Sequence, residues 1–179
     1  MSTAPAIDKQ PDERITLGVD PGIAIVGYAV VAARGSELRM IACDIITTTA
    51  GSPLPQRLQV IYKRLSEVIA TYQPHEAAME ELFFAKNART AITVGQARGV
   101  AMLAPAMTGI PVAEYAPNQV KKTVVGAGHA DKNQIMVMLK VLLPKAEPKS
   151  SDAADALAIA ITHAHHRTSA AMRLKVVGL

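Results

Sequence analysis

The chain has 179 residues, half of them hydrophobic, a formal net charge of +4 and one cysteine, Cys43. That length suits one domain with a sizeable core, and the composition excludes a disordered chain and an internal disulfide. The longest uncharged runs, such as GIAIVGYAVVAA, are too short and too Gly-broken to cross a bilayer, and MSTAPAIDKQPDE has no apolar centre of a signal peptide. A cytoplasmic protein without membrane association is expected, and its mild basic excess admits a polyanionic partner.

Residues 1–13 read as a loose tail. RITLGVD, 14–20, is a β-rich run that stops at Asp-Pro-Gly. AIVGYAVVAA, 24–33, and ELRMIACDIITTT, 37–49, read as a second and third strand, and the short links make the three antiparallel neighbours. Ser52-Pro53 opens a helix in which Leu58, Ile61, Leu65, Val68 and Tyr72 recur at spacings of three and four, and Pro74 closes it. EAAME, 76–80, is a fourth strand. Asn87 can cap a helix reaching Ala104, along which Ala91, Gly95 and Gly99 form a small-residue stripe. This stripe suits either ordinary core packing or close approach of another element. GIPVAEYA, 109–116, is a fifth strand. Short helices are expected over 118–125 and 133–143, the second stopped by Pro144. After the linker KAEPKS, a last helix runs from Ser151 to His166, leaving 168–179 as a C-terminal tail and 14–167 as the domain. The fold class is α/β: a five-stranded mixed sheet flanked by helices.

The acids at strand ends and helix starts carry the chemistry. Asp20 ends the first strand, Glu80 the fourth, and Asp152 and Asp155 share one face of the first turns of the last helix. In an α/β sheet the carboxyl ends of parallel strands gather on one edge, where ligands bind. Four carboxylates brought together there would repel one another unless a cation relieved them. Oxygen donors without a Cys or dense His cluster favour Mg²⁺ or Mn²⁺, and two ions about 4 Å apart can hold the attacking water and the leaving oxygen of a phosphodiester. Plainer duties also exist: Asp20 as a turn residue, Asp152 as a helix N-cap and Asp155 as a partner of the helix dipole. Strand alternation admits only one of Glu80 and Glu81 to the cluster, and periodicity leaves the choice open.

The stretches LGVDPGIAIVGYAV, MEELFFAKNARTAITVGQARGVAM, EYAPNQVKKTVVGAGHADKNQI and SSDAADALAIAITHAH, in this order, resemble the RuvC family of Holliday-junction resolvases. The resemblance covers Ile15 to about His166. It implies a ribonuclease-H-like fold and a homodimer that cuts two opposing strands of a four-way DNA junction with divalent metal, Mg²⁺ or Mn²⁺, two ions per site. It also implies cooperation with a branch-migration complex. Carried over by motif, the catalytic and metal-binding acids are Asp20, Glu80, Asp152 and Asp155. Glu80 is selected over Glu81 because the family glutamate precedes a Phe by three positions and an Asn by seven. Some family members have His where this chain has Asp152. Phe83 resembles the family aromatic that contacts bases near the junction centre, and stacking on an unpaired base is worth roughly 1–3 kcal/mol. Lys121 and Lys132 match basic positions of the motifs VKKTVVG and ADKNQ and, with Lys86 and Arg89, are DNA-binding candidates that can neutralise phosphates. Lys122 reads as a solvated charge. No ligand role follows for His129, His163, His165 or His166.

Two other classes compete. An ATPase of the actin-like fold also places an Asp near Gly on its first hairpin, but it needs a second Gly-rich hairpin and a second domain. A junction-binding module without catalysis would not need an intact set of four acids.

Overall fold

The computed structural model describes residue 10, residues 12–81 and residues 88–177. Its elements are β1 (Arg14–Asp20), β2 (Ile25–Arg34), β3 (Glu37–Thr47), α1 (Leu54–Tyr72), β4 (Glu76–Glu80), α2 (Ala88–Ala106), β5 (Val112–Tyr115), α3 (Pro117–Val125), α4 (Lys132–Leu142) and α5 (Ser151–Val177). The strands form one sheet in the order β3-β2-β1-β4-β5. β1 pairs antiparallel with β2, and β2 with β3, whereas β4 runs parallel to both β1 and β5. The mixed five-stranded sheet expected from the sequence is present.

Strand alternation divides the core in two. Ile15, Leu17, Val19, Val26 and Val30 point to one face, where they pack with Ile61 and Leu65 of α1 and Ala97 and Ala101 of α2. Ala29, Val31 and Ala78 point to the other, beneath α5 and the buried sides of α3 and α4. α5 is the central helix of that layer: from Ala156 to Ile161 every side chain is buried. A helix apolar on all sides is one packed on all sides.

Several boundaries differ from expectation. α5 continues to Val177 instead of ending at His166. The three histidines suggested an end, but no Gly or Pro interrupts the chain before Gly178, so nothing stops the helix. β5 is shorter than GIPVAEYA because Gly109 takes a positive φ of 75° in a turn, leaving only Val112–Tyr115 in the ladder. α1 ends one residue before the expected stop: Gln73 adopts the left-handed conformation and donates its N–H to the Ile69 carbonyl.

Candidate active site

β1 and β4 are parallel, with Val19 beside Met79, so Asp20 and Glu80 leave the sheet side by side at the same edge. Asp20 follows Gly18, and Glu80 follows Ala78, on the alternation that faces α5. The start of α5 is lowered onto this edge by two glycines. A Cβ on Gly18 would overlap the Ala156 carbonyl oxygen, and one on Gly27 would overlap the Asp152 carbonyl oxygen. Gly27 is also the cross-strand partner of Asp20. The absent side chain therefore lets the backbone of one acid rest against the strand residue paired with another. The Cys43 thiol donates to the Ala153 carbonyl at 3.3 Å and helps to hold the same turn.

The plain capping explanation for Asp152 does not hold. Ser150 caps α5, its Oγ accepting the Ala153 N–H at 3.1 Å. Neither Asp152 nor Asp155 is recorded in the cap interaction, and Asp155 is drawn instead to Lys132 of α4, whose Nζ lies 3.7 Å from its Oδ2.

The electrostatics show the four acids acting on one another. Burial, then the charges of Asp155, Glu80 and Asp152, push the Asp20 carboxyl up to about 7, against a smaller opposing pull from Lys132. Burial and the Asp155 charge raise Glu80, opposed by Lys121. Burial raises Asp155 as well, with Lys132 and Lys121 opposing and Asp152 reinforcing the rise. Acids held above their ordinary range by one another mark a place where positive charge is wanted. Among the described residues no three of these groups are drawn into a ready-made metal cage, but the donor set, all carboxylate oxygen under mutual repulsion, fits a hard divalent cation.

Glu81 is exposed and its N–H donates to the Tyr115 carbonyl at 2.9 Å, as the ladder register requires. Glu80, half-buried, is the member of the pair beside the other acids. A cleft of about 260 Å³ opens between these acids and the two short helices, lined by Glu80, Lys121, Lys132, Ile135 and Asp155. Lys121, on α3, and Lys132, the first residue of α4, thus border the acids from the side opposite the sheet. Lys132 is brought there by a capping box in which Asp131 accepts the Gln134 N–H and Gln134 accepts the Asp131 N–H, both at 2.9 Å. Lys122 is exposed, as expected, and so is His129. Phe83 and Lys86 lie outside the described residues; Arg89 is in the first turn of α2, its side chain likewise outside them.

Sequence reasoning missed Arg98. From α2 it donates Nε–H to the Glu80 carbonyl at 3.3 Å and pairs with Glu114 of β5, tying the ends of β4 and β5 together behind the acids. Its only signal was one arginine in a helix otherwise made of small and apolar residues.

The model of the family "Crossover junction endodeoxyribonuclease RuvC" matches residues 16–163. The chain belongs to the RuvC family. It is 60% identical over 163 residues to the crossover junction endodeoxyribonuclease RuvC of Bradyrhizobium diazoefficiens, covering 91% of this chain and 93% of that one. The RuvC of Rhodopseudomonas palustris strain BisA53 is also 60% identical, over 90% of this chain and 92% of its own. Among solved structures, Thermus thermophilus RuvC in complex with Holliday junction substrate superposes with a TM-score of 0.83 at 36% identity, covering 88% of this chain and 96% of that one. The yeast mitochondrial Holliday junction resolvase Ydc2 shares the fold at a TM-score of 0.62 and 13% identity, over 94% of this chain and 87% of its own. The architecture is ribonuclease-H-like, as the resemblance implied. Among the described residues no helix is long and apolar enough to cross a membrane.

Proposed function

We propose that this chain resolves four-way DNA junctions by hydrolysing phosphodiesters in two opposing strands, with Asp20, Glu80, Asp152 and Asp155 as its catalytic and metal-holding groups. The observation that carries this reading is the convergence of the four acids, with the Asp20 carboxyl pushed up to about 7 by burial and the other three. When bound, Mg²⁺ or Mn²⁺, two ions per site, supplies charge neutralisation and activation of water at neutral pH. The chain's own residues do the rest. Asp20 and Glu80, fixed at adjacent strand ends, present their oxygens from the sheet, and Asp152 and Asp155 present theirs from the helix above. Lys121 and Lys132 border the cleft, where each can accept a phosphate in place of its present carboxylate neighbour. Phe83, Lys86 and Arg89 extend that contact to bases and further phosphates.

Two cuts on opposing strands call for two sites related by a two-fold axis, hence a homodimer. Its contact surface is the outward side of α2, where Ile92, Leu103 and Met107 are exposed and Gly99 has open space above it. An apolar stripe of this kind on a helix whose other side is already buried suits a second copy of itself. On this reading the catalytic unit is 14–167, it works in the compartment that holds the DNA, the cytoplasm of a bacterial cell, and it acts with a branch-migration complex.

The test is cleavage of a four-way junction with a mobile centre, with chelator, Mg²⁺ and Mn²⁺ compared. Paired nicks on opposing strands that require metal are expected. A dimer of one wild-type and one Asp20→Asn subunit should nick one strand and fail to release two linear duplexes. Paired cleavage by a proven monomer, or in chelator, would overturn the reading.

A further inference from the structure

Away from the acids, a second set of polar side chains links α5 to the sheet. His163 Nε2 lies 2.7 Å from Glu76 Oε2 on β4, and its Nδ1 lies 2.8 Å from the Tyr115 hydroxyl on β5. A neutral imidazole satisfies both at once, donating from Nε2–H to the carboxylate and accepting the phenol proton at Nδ1. Glu76 is buried at its end of β4 and is further held by Arg14 at 3.0 Å and Arg167 at 3.7 Å. His166 packs on Tyr115 with ring centres 5.2 Å apart and lies 3.3 Å from the Thr123 hydroxyl of α3, the helix that carries Lys121.

The spacing of these contacts matches that of the acids. α5 runs antiparallel to β4, with Asp155 facing Glu80 at one end and His163 facing Glu76 at the other. From Asp155 to His163 the helix rises about 12 Å, at ~1.5 Å per residue. From Glu76 to Glu80 the strand rises about 13 Å, at ~3.3 Å per residue. The two elements are in step, so a slide of α5 along β4 that broke the lower contact would displace the upper one by the same amount. Tyr115 adds a second tie, because it stands beside Glu80 in the β4–β5 register. The apolar contacts of α5 cannot set this position alone: its buried face is largely alanine, and Ala153, Ala154, Ala156, Ala158 and Ala160 offer little relief against sliding.

We propose that His163 is a positioning residue of the active site: by binding Glu76 and Tyr115 together it fixes the axial setting of α5 and thereby the separation of Asp155 from Glu80. This rests on the four-acid, metal-holding reading above, and the experiment separates the two. The measurement is Mn²⁺ binding to the full chain without DNA, read from the spin-resonance signal of the free ion, with junction cleavage and junction binding followed on the same samples. His163→Leu keeps bulk but cannot bridge. It should raise the Mn²⁺ midpoint about tenfold or more and slow cleavage about a hundredfold, with junction affinity within about twofold. His163→Gln, which keeps a donor, should recover part of both losses. Val68→Ala, on the α1 side of the sheet, supplies a control for stability loss alone and should leave the midpoint where it was. A folded His163→Leu with wild-type midpoint and cleavage overturns the proposal, as do equal midpoint shifts in Val68→Ala. Should His163→Leu fail to fold, Tyr115→Phe decides: removal of one hydroxyl should raise the midpoint several-fold, and an unchanged midpoint overturns the role. Asp155→Asn reports on the underlying reading. If it binds Mn²⁺ as the wild type does, the four-acid reading fails; if it loses Mn²⁺ while His163→Leu does not, only the positioning role fails.

Discussion

β4 carries a glutamate at each end, and the two have opposite surroundings. Glu76 is ringed by His163, Arg14 and Arg167, and although burial would raise its carboxyl, the hydrogen bonds from His163 and Arg14 and the nearby positive charges bring it below its ordinary value. Glu80, four residues on, is raised by burial and by Asp155, with Lys121 offering partial relief. One residue type on one strand and one face therefore serves two purposes. At the amino end the fold has supplied the counter-charges itself and the carboxylate stabilises the structure. At the carboxyl end it has assembled four acids without enough cations to balance them, and an external cation is needed to complete the site.

The sharpest way to break this comparison is to neutralise neighbouring glutamates. Glu80→Gln should cut junction cleavage about a thousandfold, while Glu81→Gln, on the opposite side of the strand, should stay within about twofold in the same assay. A dead Glu81→Gln beside an active Glu80→Gln would place the wrong residue at the site. Next in size is Gly27→Ala. The added methyl must displace the Asp152 backbone, which should cost about 1–3 kcal/mol of stability and about a hundredfold in cleavage. Calorimetry and single-turnover rates check both, and wild-type values would show that α5 is free to adjust.

The repulsion at the carboxyl edge also has a thermal signature. The Asp20 carboxyl rises from 3.8 to about 7 on folding, so the folded state binds its proton more tightly than the unfolded state does. That stabilises the fold in acid, and the contribution is lost as the pH rises from about 4 to 7. Asp20→Asn removes the repelling charge. In metal-free buffer at pH 8 the variant should melt about 3 °C above the wild type, the equivalent of about 1 kcal/mol, and the difference should vanish near pH 4. A variant that melts lower at pH 8 would mean that Asp20 is held by partners and not opposed by neighbours. The smallest effect belongs to Lys121. Lys121→Ala should weaken junction binding a few-fold and reduce the salt dependence by a slope of about 1, and an unchanged slope would remove it from the phosphate path.

Much of this was legible in the sequence because the signals are local. The Asp-Pro-Gly stop placed Asp20 at a strand end, and two aspartates three apart placed a pair on one helix face. The first strands and α1 followed from alternation and from three-and-four spacing. What could not be read depends on contacts across long stretches of chain. Glu76 and His163 are 87 positions apart, so nothing near either told that the first histidine of ITHAHH would seat on a strand glutamate. Gly27 looked like an ordinary strand glycine until α5 was seen to rest on it. Ser150 had displaced Asp152 from the cap by a shift of two residues, within the usual uncertainty of a helix start. The choice of Glu80 came from motif resemblance, because alternation alone separates the two glutamates without saying which one faces the site.

The most direct test of the central claim measures cleavage and binding together for Asp20→Asn. With a four-way junction and Mg²⁺, the account predicts that cleavage is lost and junction affinity stays within about twofold, because affinity comes from lysine and arginine at phosphates and the carboxylate serves the metal. Cleavage that persists, or cleavage and binding that fall together, would contradict it.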